Sequence, residues 1–429
     1  MKAIIKLAVL AACFAVACPF ACAMTYHQAH HLAHLYATQG DKAAFAQLTA
    51  AANAGDPHAQ DYLGVVFAEG VGVPQSYAQA VAWYRKAAEQ GDTRGENALG
   101  FAYETGSGVQ KNAKLACAWF RKAADQGFAV AQYDMGLAYA QGSGVPQSYA
   151  QSAAWYRKAA DQGNAGAQYN LGCDYAHGEG VPRDDAKAVA WYRKAAAQGV
   201  AQAQFSLGYA YLKGRGVPKD YAQTAVWYRK AADQGDTGAQ DGLAYLYHNG
   251  IGVPQSYTQS VIFARKAAEQ GDAGAQYNLG CSYTYGQGVP RDYVAAYALF
   301  NLAAAQGVSS AAHDRKAIAE RMSDRAIRVA QDLSRRMQSE GMKALDAYMR
   351  SPAARRLRAL QYARARRSSD SSSPWPARPA RIPGETTCNT SCENGSCWRT
   401  YDNGRHVHFN VAPSIDPFSG QMTFNPPSC

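Results

Sequence analysis

The sequence predicts an all-α protein, an α-solenoid of seven 36-residue helical hairpins with a small C-terminal disulfide-stapled β-hairpin module. Three observations predict this: a constant 36-residue period, helix-capping residue types at one fixed position of every copy, and a cluster of four cysteines at the end of the chain. The 429 residues are 48% hydrophobic and 18% charged, so the chain is too apolar to be disordered overall and too long for a single core.

Residues 1–23 have the pattern of an export signal. Two early lysines precede an apolar run over residues 7–17, and the segment ends in Ala21-Cys22-Ala23. That order is typical of a secretory signal peptide cleaved after Ala23, and acylation of Cys13 or Cys18, as in a lipoprotein, is the alternative. We therefore expect an exported protein, periplasmic or secreted, whose cysteines face an oxidising compartment.

Residues 24–55 form an atypical half-copy and are predicted to be N-terminal capping helices. Four histidines lie within eight residues of this segment: His27, His30, His31 and His34. Spacings of three and four residues on a helix are compatible with a metal site. No cysteine or carboxylate completes the set, so a solvated helix face is the favoured interpretation, and we expect no cofactor.

Each copy in residues 56–307 predicts two helices, A and B. In the copy 164–199, helix A ends at Gly178-Glu179-Gly180, because glycine readily adopts left-handed backbone. A glycine follows leucine or methionine at the position of Gly172 in six copies, and Ala244 fills the seventh. The start of helix B carries a capping residue type in every copy: Ser76, Asn112, Ser148, Asp184, Asp220, Ser256 and Asp292.

These units resemble the SEL-one-like repeat family, whose members are relatives of the tetratricopeptide repeat. The resemblance rests on segments such as 167–172 (AQYNLG), 178–182 (GEGVP) and 191–196 (WYRKAA). It implies a right-handed superhelical scaffold that binds other proteins or assembles complexes, with helix A on its concave side. Some exported bacterial members carry a disulfide pair in each repeat. This chain lacks those pairs, so their activities are not implied for it.

Internal comparison separates a constant arc of helix A from a variable one. The constant arc is predicted to pack, and the variable arc is the candidate partner-binding surface. Its residues are Tyr133, Leu137, Gln141, Tyr169, Asn170, Cys173, His177, Phe205, Tyr209, Lys213, Tyr245, Asn249, Tyr277, Cys281 and Tyr285. The alternative is that the aromatic members, Tyr133, Tyr169, Phe205 and Tyr277, pack between copies.

The charge is unevenly distributed along the chain. The net charge is +10, but residues 308–367 hold 15 Lys and Arg against 6 Asp and Glu, whereas residues 24–307 are balanced at 22 against 22. A neutral body argues against nucleic acid as a partner. The predicted capping helices of 308–367 end in a basic segment, and Arg355, Arg356 and Arg358 are candidates for contact with an anionic envelope surface.

A Ser/Pro-rich linker is predicted over 368–387, and a small module over 388–429. Its cysteines, Cys388, Cys392, Cys397 and Cys429, are disulfide candidates of undetermined pairing, with zinc as the alternative. A turn at Asn403-Gly404 predicts a hairpin with Trp398 opposite Phe409. That register would place Arg399, Tyr401, His406 and His408 on one face, as a second binding site.

Known catalytic motifs are missing from the sequence. It contains no H-E-x-x-H, G-x-S-x-G or Walker-type loop, and the G-x-G pairs lie between helices. Cys173 with His177 one helical turn later is the remaining nucleophile candidate. We predict a non-enzymatic, exported scaffold for a protein partner. The alternatives are an envelope- or glycan-binding protein that attaches through the basic helix and terminal module, and a hydrolase of cell-wall or antibiotic substrates.

Overall fold

The computed structural model describes residues 24–368, 388–393, 396–401 and 406–410. Within these residues the chain forms twenty α-helices and three β-strands. It divides into two compact units, Met1–Trp191 and Tyr192–Cys429, and the division falls within one helix. No described helix is both long and apolar enough to cross a membrane.

The first unit consists of a helix pair followed by helical hairpins, as the 36-residue period predicts. Odd-numbered helices from α3 to α15 are the A helices, and the even-numbered helices from α4 to α16 that follow them are the B helices. The bounds are α1 Tyr26–Gln39, α2 Lys42–Asn53, α3 Pro57–Glu69, α4 Tyr77–Glu89, α5 Thr93–Thr105, α6 Ala113–Asp125, α7 Ala129–Gln141, α8 Tyr149–Asp161, α9 Ala165–His177 and α10 Asp185–Ala197, which contains the division.

The second unit continues the same alternation and adds four further helices and a small sheet. The bounds are α11 Ala201–Lys213, α12 Tyr221–Asp233, α13 Thr237–Asn249, α14 Tyr257–Glu269, α15 Ala273–Tyr285, α16 Tyr293–Ala305, α17 Ser309–Ala319, α18 Asp324–Glu340, α19 Met342–Arg350, α20 Pro352–Ser368, β1 Cys388–Glu393, β2 Ser396–Tyr401 and β3 His406–Asn410.

The predicted helix starts and ends are confirmed. Asn112 accepts the backbone N–H of Leu115 at 3.1 Å, and the equivalent side chain caps the B helix of the other six copies. Each A helix ends at a glycine in left-handed backbone, such as Gly178 with φ of 77°. These caps satisfy backbone groups that would otherwise lack partners at the helix ends.

The repeated glycine inside helix A allows an aromatic ring to lie directly on the helix backbone. A Cβ atom at Gly100 would come within 2.6 Å of Phe120 Cδ1 on α6, the B helix of the same copy. The copy with Ala244 in place of glycine has Ala264 in place of the ring. The residue pair therefore changes together, which identifies the glycine as a packing requirement.

Two kinds of polar link join neighbouring copies. In the first unit, Gln132 donates to the backbone oxygen of Ala124 in the preceding copy at 3.2 Å, and its Oε1 accepts from Gln162 of its own copy at 2.8 Å. An arginine of helix B also donates to a tyrosine hydroxyl on the next A helix, as Arg85 does to Tyr103 at 3.1 Å. Because these groups recur in successive copies, they fix the spacing of neighbouring hairpins.

The strands form one antiparallel sheet in the order β1-β2-β3. Trp398 pairs with His408 and Arg399 with Val407, so the predicted pairing of Trp398 with Phe409 is wrong by one residue. Five residues separate the paired Thr400 and His406, and an odd number cannot centre on a two-residue turn. The face predicted for Arg399, Tyr401, His406 and His408 fails with that register. The predicted disulfides of Cys388, Cys392, Cys397 and Cys429 concern side chains outside the described residues.

Candidate functional site

The candidate site consists of three rows of side chains on the A helices, spaced four residues apart on each helix. In α9 these are Tyr169, Cys173 and His177, and we call the corresponding rows inner, middle and outer. Residues four apart lie on one face of a helix, and the 36-residue period repeats that face from copy to copy.

The inner row packs inside the protein. The ring of Tyr133 lies 5.8 Å from that of Tyr156 on α8, and a Cβ atom at Gly166 on α9 would lie 3.2 Å from it. In the second unit, the ring of Phe205 stacks on that of Tyr228 at 5.2 Å. The aromatic residues therefore occupy the space between helices, which supports the packing interpretation rather than partner binding at this row.

Polar side chains in and beside the inner row contact neighbouring helices. Asn278 on α15 donates to Asp241 Oδ1 on α13 at 3.0 Å, and both side chains are buried. In the first unit, Asn170 on α9 lies close to the hydroxyl groups of Tyr133 and Tyr156, where it opposes the effect of burial on their pKa values. Asn170 itself is half-buried, and its role in partner binding stays a prediction.

The last A helix, α15, is covered. Tyr277 is buried, and its hydroxyl donates to Asp314 Oδ2 on α17 at 2.9 Å. Cys281 is buried beside it, and burial raises the pKa of its thiol well above the usual range. The predicted roles of Tyr277 and Cys281 in partner binding are therefore wrong, because a helix outside the repeats lies over them.

The middle and outer rows are where candidate side chains reach solvent. Half-buried candidates of these rows are Leu137, Cys173, Tyr209, Tyr245 and Tyr285, and exposed ones are Gln141, His177, Lys213 and Asn249. The remaining candidate, Tyr169 of the inner row, is half-buried.

Phe101 is a further candidate that the partner-binding residues selected from the sequence did not include. It lies in the middle row of the first unit, at the position equivalent to Leu137, and it is 56% exposed. An exposed phenylalanine costs hydration free energy unless something covers it. Its place in the variable arc was the signal that could have identified it.

A basic group borders the middle row of the second unit. Lys213 Nζ and Arg215 Cζ each lie 5.8 Å from the centre of the Tyr209 ring, and Lys219 lies 4.8 Å from the Tyr221 ring. Partial burial and the charges of Arg215 and Lys219 lower the pKa of Lys213. Three cations around the half-buried Tyr209 and the exposed Tyr221 form a surface that attracts carboxylates.

Next to Cys173 lies a buried carboxyl group, that of Asp174. Burial raises the pKa of Asp174 to about 7, and the charge of Glu179 adds to the effect. Within the described residues its Oδ2 atom has no hydrogen-bond partner. The equivalent residue is alanine in three copies, at Ala102, Ala138 and Ala210, so this charge is peculiar to α9.

The geometry around the nucleophile candidate is local to one helix. His177 Nδ1 lies 2.9 Å from the backbone oxygen of Cys173, so this ring nitrogen faces the helix backbone. Cys281 occupies the position of Cys173 three copies later, and Tyr285 stands there in place of the histidine. The raised pKa of Cys281 disfavours a thiolate. The two copies with a cysteine in the middle row therefore do not share a nucleophilic arrangement.

The four N-terminal histidines lie along α1 and are all exposed. The ring of His30 stacks 6.3 Å from that of Tyr26 and 6.1 Å from that of His34. Among the described residues no group of three or more His, Cys, Asp or Glu side chains is placed to hold a metal ion. His27 and His31 accordingly have no ligand set around them in this part of the chain.

The basic C-terminal helix α20 uses its arginines in two ways. Arg355 and Arg356 are exposed, together with Leu360 and Tyr362. Arg358 turns inward: its Nη1 lies 3.8 Å from Asp292 Oδ2, and its Nη2 donates to the backbone oxygen of Met349 at 3.4 Å. The predicted envelope contact of Arg358 is therefore wrong, because this guanidinium balances a buried carboxylate.

Comparison with known proteins gives a consistent family match. The Sel1 repeat model matches seven consecutive segments: 57–92, 93–128, 129–164, 165–200, 201–236, 237–272 and 273–308. A Sel1 repeat protein from Oxalobacter formigenes is 33% identical, with a TM-score of 0.51, over 56% of this chain and 96% of that one. A protective antigen of uropathogenic Escherichia coli strains with an SLR fold is 28% identical, with a TM-score of 0.45, over 81% and 96%. No curated protein matches the chain.

Proposed function

The chain belongs to the Sel1 repeat family, and we propose that it is an exported, non-enzymatic scaffold that binds a protein partner through the middle and outer rows of its A helices. Proteins built from this repeat generally bind other proteins. The proposed surface is smaller than the one expected from sequence, because the inner row, and Tyr277 and Cys281 of the last A helix, are engaged in packing within the chain.

The exposed ring of Phe101 is the observation that carries the proposal. The equivalent residues Val65 and Leu137 are half-buried and apolar, while Thr105 and Gln141 one turn later are polar and exposed. An apolar residue ringed by uncharged polar groups is typical of the centre of a protein interface. A peptide side chain that covered Phe101 would remove its apolar surface from water.

The second unit offers a surface of different chemistry. Tyr209 and the cations of Lys213 and Arg215 favour a partner segment that carries carboxylates. Binding there should weaken as the salt concentration rises, because exposed charges are screened. Binding at Phe101 should depend little on salt.

Other parts of the chain fit the same role. Export is supported by the pattern of residues 1–23, and the four C-terminal cysteines then form disulfides that staple the small sheet, as expected in an oxidising compartment. A non-enzymatic role is supported by the buried, high-pKa thiol of Cys281 and by the engagement of His177 Nδ1 with helix backbone.

Site-specific photocrosslinking in intact cells tests the partner surface. A benzophenone amino acid at position 101 should give discrete adducts with a protein of defined mass. The matched control is position 115 on α6 in the same hairpin, where Leu115 is also apolar and 42% exposed but lies on helix B. Equal adducts from both positions, or none from position 101 in cells where the protein is expressed, would contradict the proposal.

A second candidate function is attachment to an anionic envelope surface through α20. Arg355 and Arg356 are exposed on the same helix as Leu360, which is 61% exposed, and Tyr362. Cations beside exposed apolar residues are typical of helices that lie on anionic lipid.

Vesicle flotation with the full chain tests this second function. Vesicles containing phosphatidylglycerol should retain the protein, and Arg355→Gln with Arg356→Gln should release it. The control is Arg335→Gln on α18, an exposed arginine 3.3 Å from Asp332. Equal retention on purely zwitterionic vesicles, or equal release by the control, would exclude the attachment.

A further inference from the structure

The backbone nitrogen of Met24 lies 2.6 Å from Asp56 Oδ2, in a partly buried contact between residues 32 positions apart. Met24 precedes α1, and Asp56 precedes α3, the first helix of the first repeat. The contact therefore ties the start of the N-terminal helix pair to the start of the repeats within the first unit.

Both sides of this contact are held in place. The side chain of Met24 packs against the cluster that contains Ala29, Leu48 and Tyr62. Thr25 next to it caps α1 in a reciprocal capping box with Gln28. Asp56 is fixed as well, because its other oxygen, Oδ1, accepts the backbone N–H of Ala59 at 2.8 Å and caps α3. The nitrogen of Met24 thus contacts a carboxylate whose orientation is already fixed by its role as the cap of α3.

The charge of Asp56 has no side-chain counterpart in the described chain. No Lys, Arg or His side chain there forms an ion pair with it, and the nearby His58 is engaged with Asp92 at 2.7 Å. A peptide N–H at Met24 gives this carboxylate a neutral donor. An α-ammonium group at the same place would give it a charge-assisted hydrogen bond, which is roughly twice as strong.

We propose that hydrolysis of the Ala23–Met24 peptide bond during export creates an α-ammonium group that forms an ion pair with Asp56 and fastens the N-terminal helix pair to the first repeat. In this step a signal peptidase adds water across the bond, so that Ala23 leaves as a carboxylate and the Met24 nitrogen becomes a protonated amine. The inference rests on the export part of the proposed function and not on partner binding.

The position of cleavage decides whether the ion pair forms. Cleavage after Ala21, or a lipoprotein start at Cys18, would leave residues in front of Met24, and its nitrogen would stay an uncharged amide. Only a chain that begins at Met24 places a positive charge 2.6 Å from Asp56. The structure thus links the processing site to the stability of the processed protein.

The experiment combines two chain starts with one substitution. One form begins at Met24 after proteolytic removal of a fusion partner, and the other carries Gly-Ser in front of Met24. Asp56→Asn is made in both, because asparagine still caps a helix and occupies this position naturally at Asn164. Asp272→Asn, at the equivalent cap of α15, is the matched control.

Asp56→Asn should raise the unfolding equilibrium constant about tenfold more in the Met24-first form than in the extended form. The control Asp272→Asn should have the same effect in both forms. Equal sensitivity of the two forms to Asp56→Asn would overturn the ion pair. The mass of the protein recovered from the producing cells tests cleavage separately, and a start other than Met24 would overturn the processing step. Neither result bears on partner binding, so failure of this inference and failure of the partner-binding proposal are distinguishable.

Discussion

Replacing Gly100 by alanine should destabilise the protein, although alanine is the better helix former. Gly100 lies inside α5, and a Cβ atom there would come within 2.6 Å of Phe120 Cδ1, 2.7 Å of Phe120 Cε1 and 3.2 Å of the backbone oxygen of Ala116. Carbon atoms at rest are about 3.5–4.0 Å apart, so the ring must move by about 1 Å. Phe120 is only 2% exposed, so its ring can move only by displacing the side chains packed around it.

The magnitude follows from two opposing effects. Overpacking of this kind costs about 1–3 kcal/mol, and the better helix propensity of alanine returns at most about 1 kcal/mol. Gly100→Ala should therefore lower the free energy of unfolding by about 1–2 kcal/mol. Phe120→Ala alone should lower it by about 3–5 kcal/mol through the cavity it leaves.

The double variant Gly100→Ala with Phe120→Ala distinguishes this explanation from a general loss of packing. Without the ring the new methyl group has room, as in the natural pair Ala244 and Ala264, so the double variant should be about 2 kcal/mol more stable than the sum of the single effects predicts. Urea unfolding followed by far-UV circular dichroism measures all four proteins. Additive effects, or a stabilising Gly100→Ala, would refute the ring-on-glycine packing.

Two further predictions concern buried carboxyl groups. Burial raises the pKa of Asp174 to about 7, so its ionisation destabilises the fold increasingly as the pH rises from about 4 towards 7. Asp174→Ala should therefore gain about 1–2 kcal/mol of unfolding free energy at about pH 8 and little or nothing at about pH 4. Asp161→Ala, at an exposed helix end, is the control for loss of a surface carboxylate, and a gain for Asp174→Ala that is equal at both pH values would count against the assignment. Glu96 stands where six copies have glutamine, is buried, and accepts from Gln126 at 2.8 Å, and burial raises its pKa. Glu96→Gln should stabilise the protein by about 1 kcal/mol at neutral pH, measured by thermal unfolding against the isosteric control Glu89→Gln at an exposed position; a loss of stability would show that the carboxylate is needed.

Much of the fold could be predicted from the sequence because its signals are local and repeated. A capping residue such as Asn112 needs only its own backbone neighbours, and a glycine such as Gly178 needs only its own backbone angle. The joint change at Ala244 and Ala264 would also have shown, from sequence alone, that helix A and helix B touch there.

The site was harder to predict because variability does not mean exposure. Asn170 varies between copies, yet it is half-buried beside Tyr133 and Tyr156 of the preceding copy, so variation at this position does not mark a fully exposed surface. Tyr277 is covered by α17, which lies outside the repeats and has no counterpart in an internal comparison. Arg358 meets Asp292 across 66 positions of sequence, a proximity that no local pattern reveals.

The measurement that tests the central claim most directly is the dissociation constant of the crosslinked partner, once purified, for three proteins: the parent chain, Phe101→Ser and Leu115→Ser. Both variants remove an exposed apolar side chain from the same hairpin, one from helix A and one from helix B. The account predicts at least about tenfold weaker binding for Phe101→Ser and a change of less than about twofold for Leu115→Ser. Equal binding by the parent and Phe101→Ser, or a larger loss for Leu115→Ser, would contradict it.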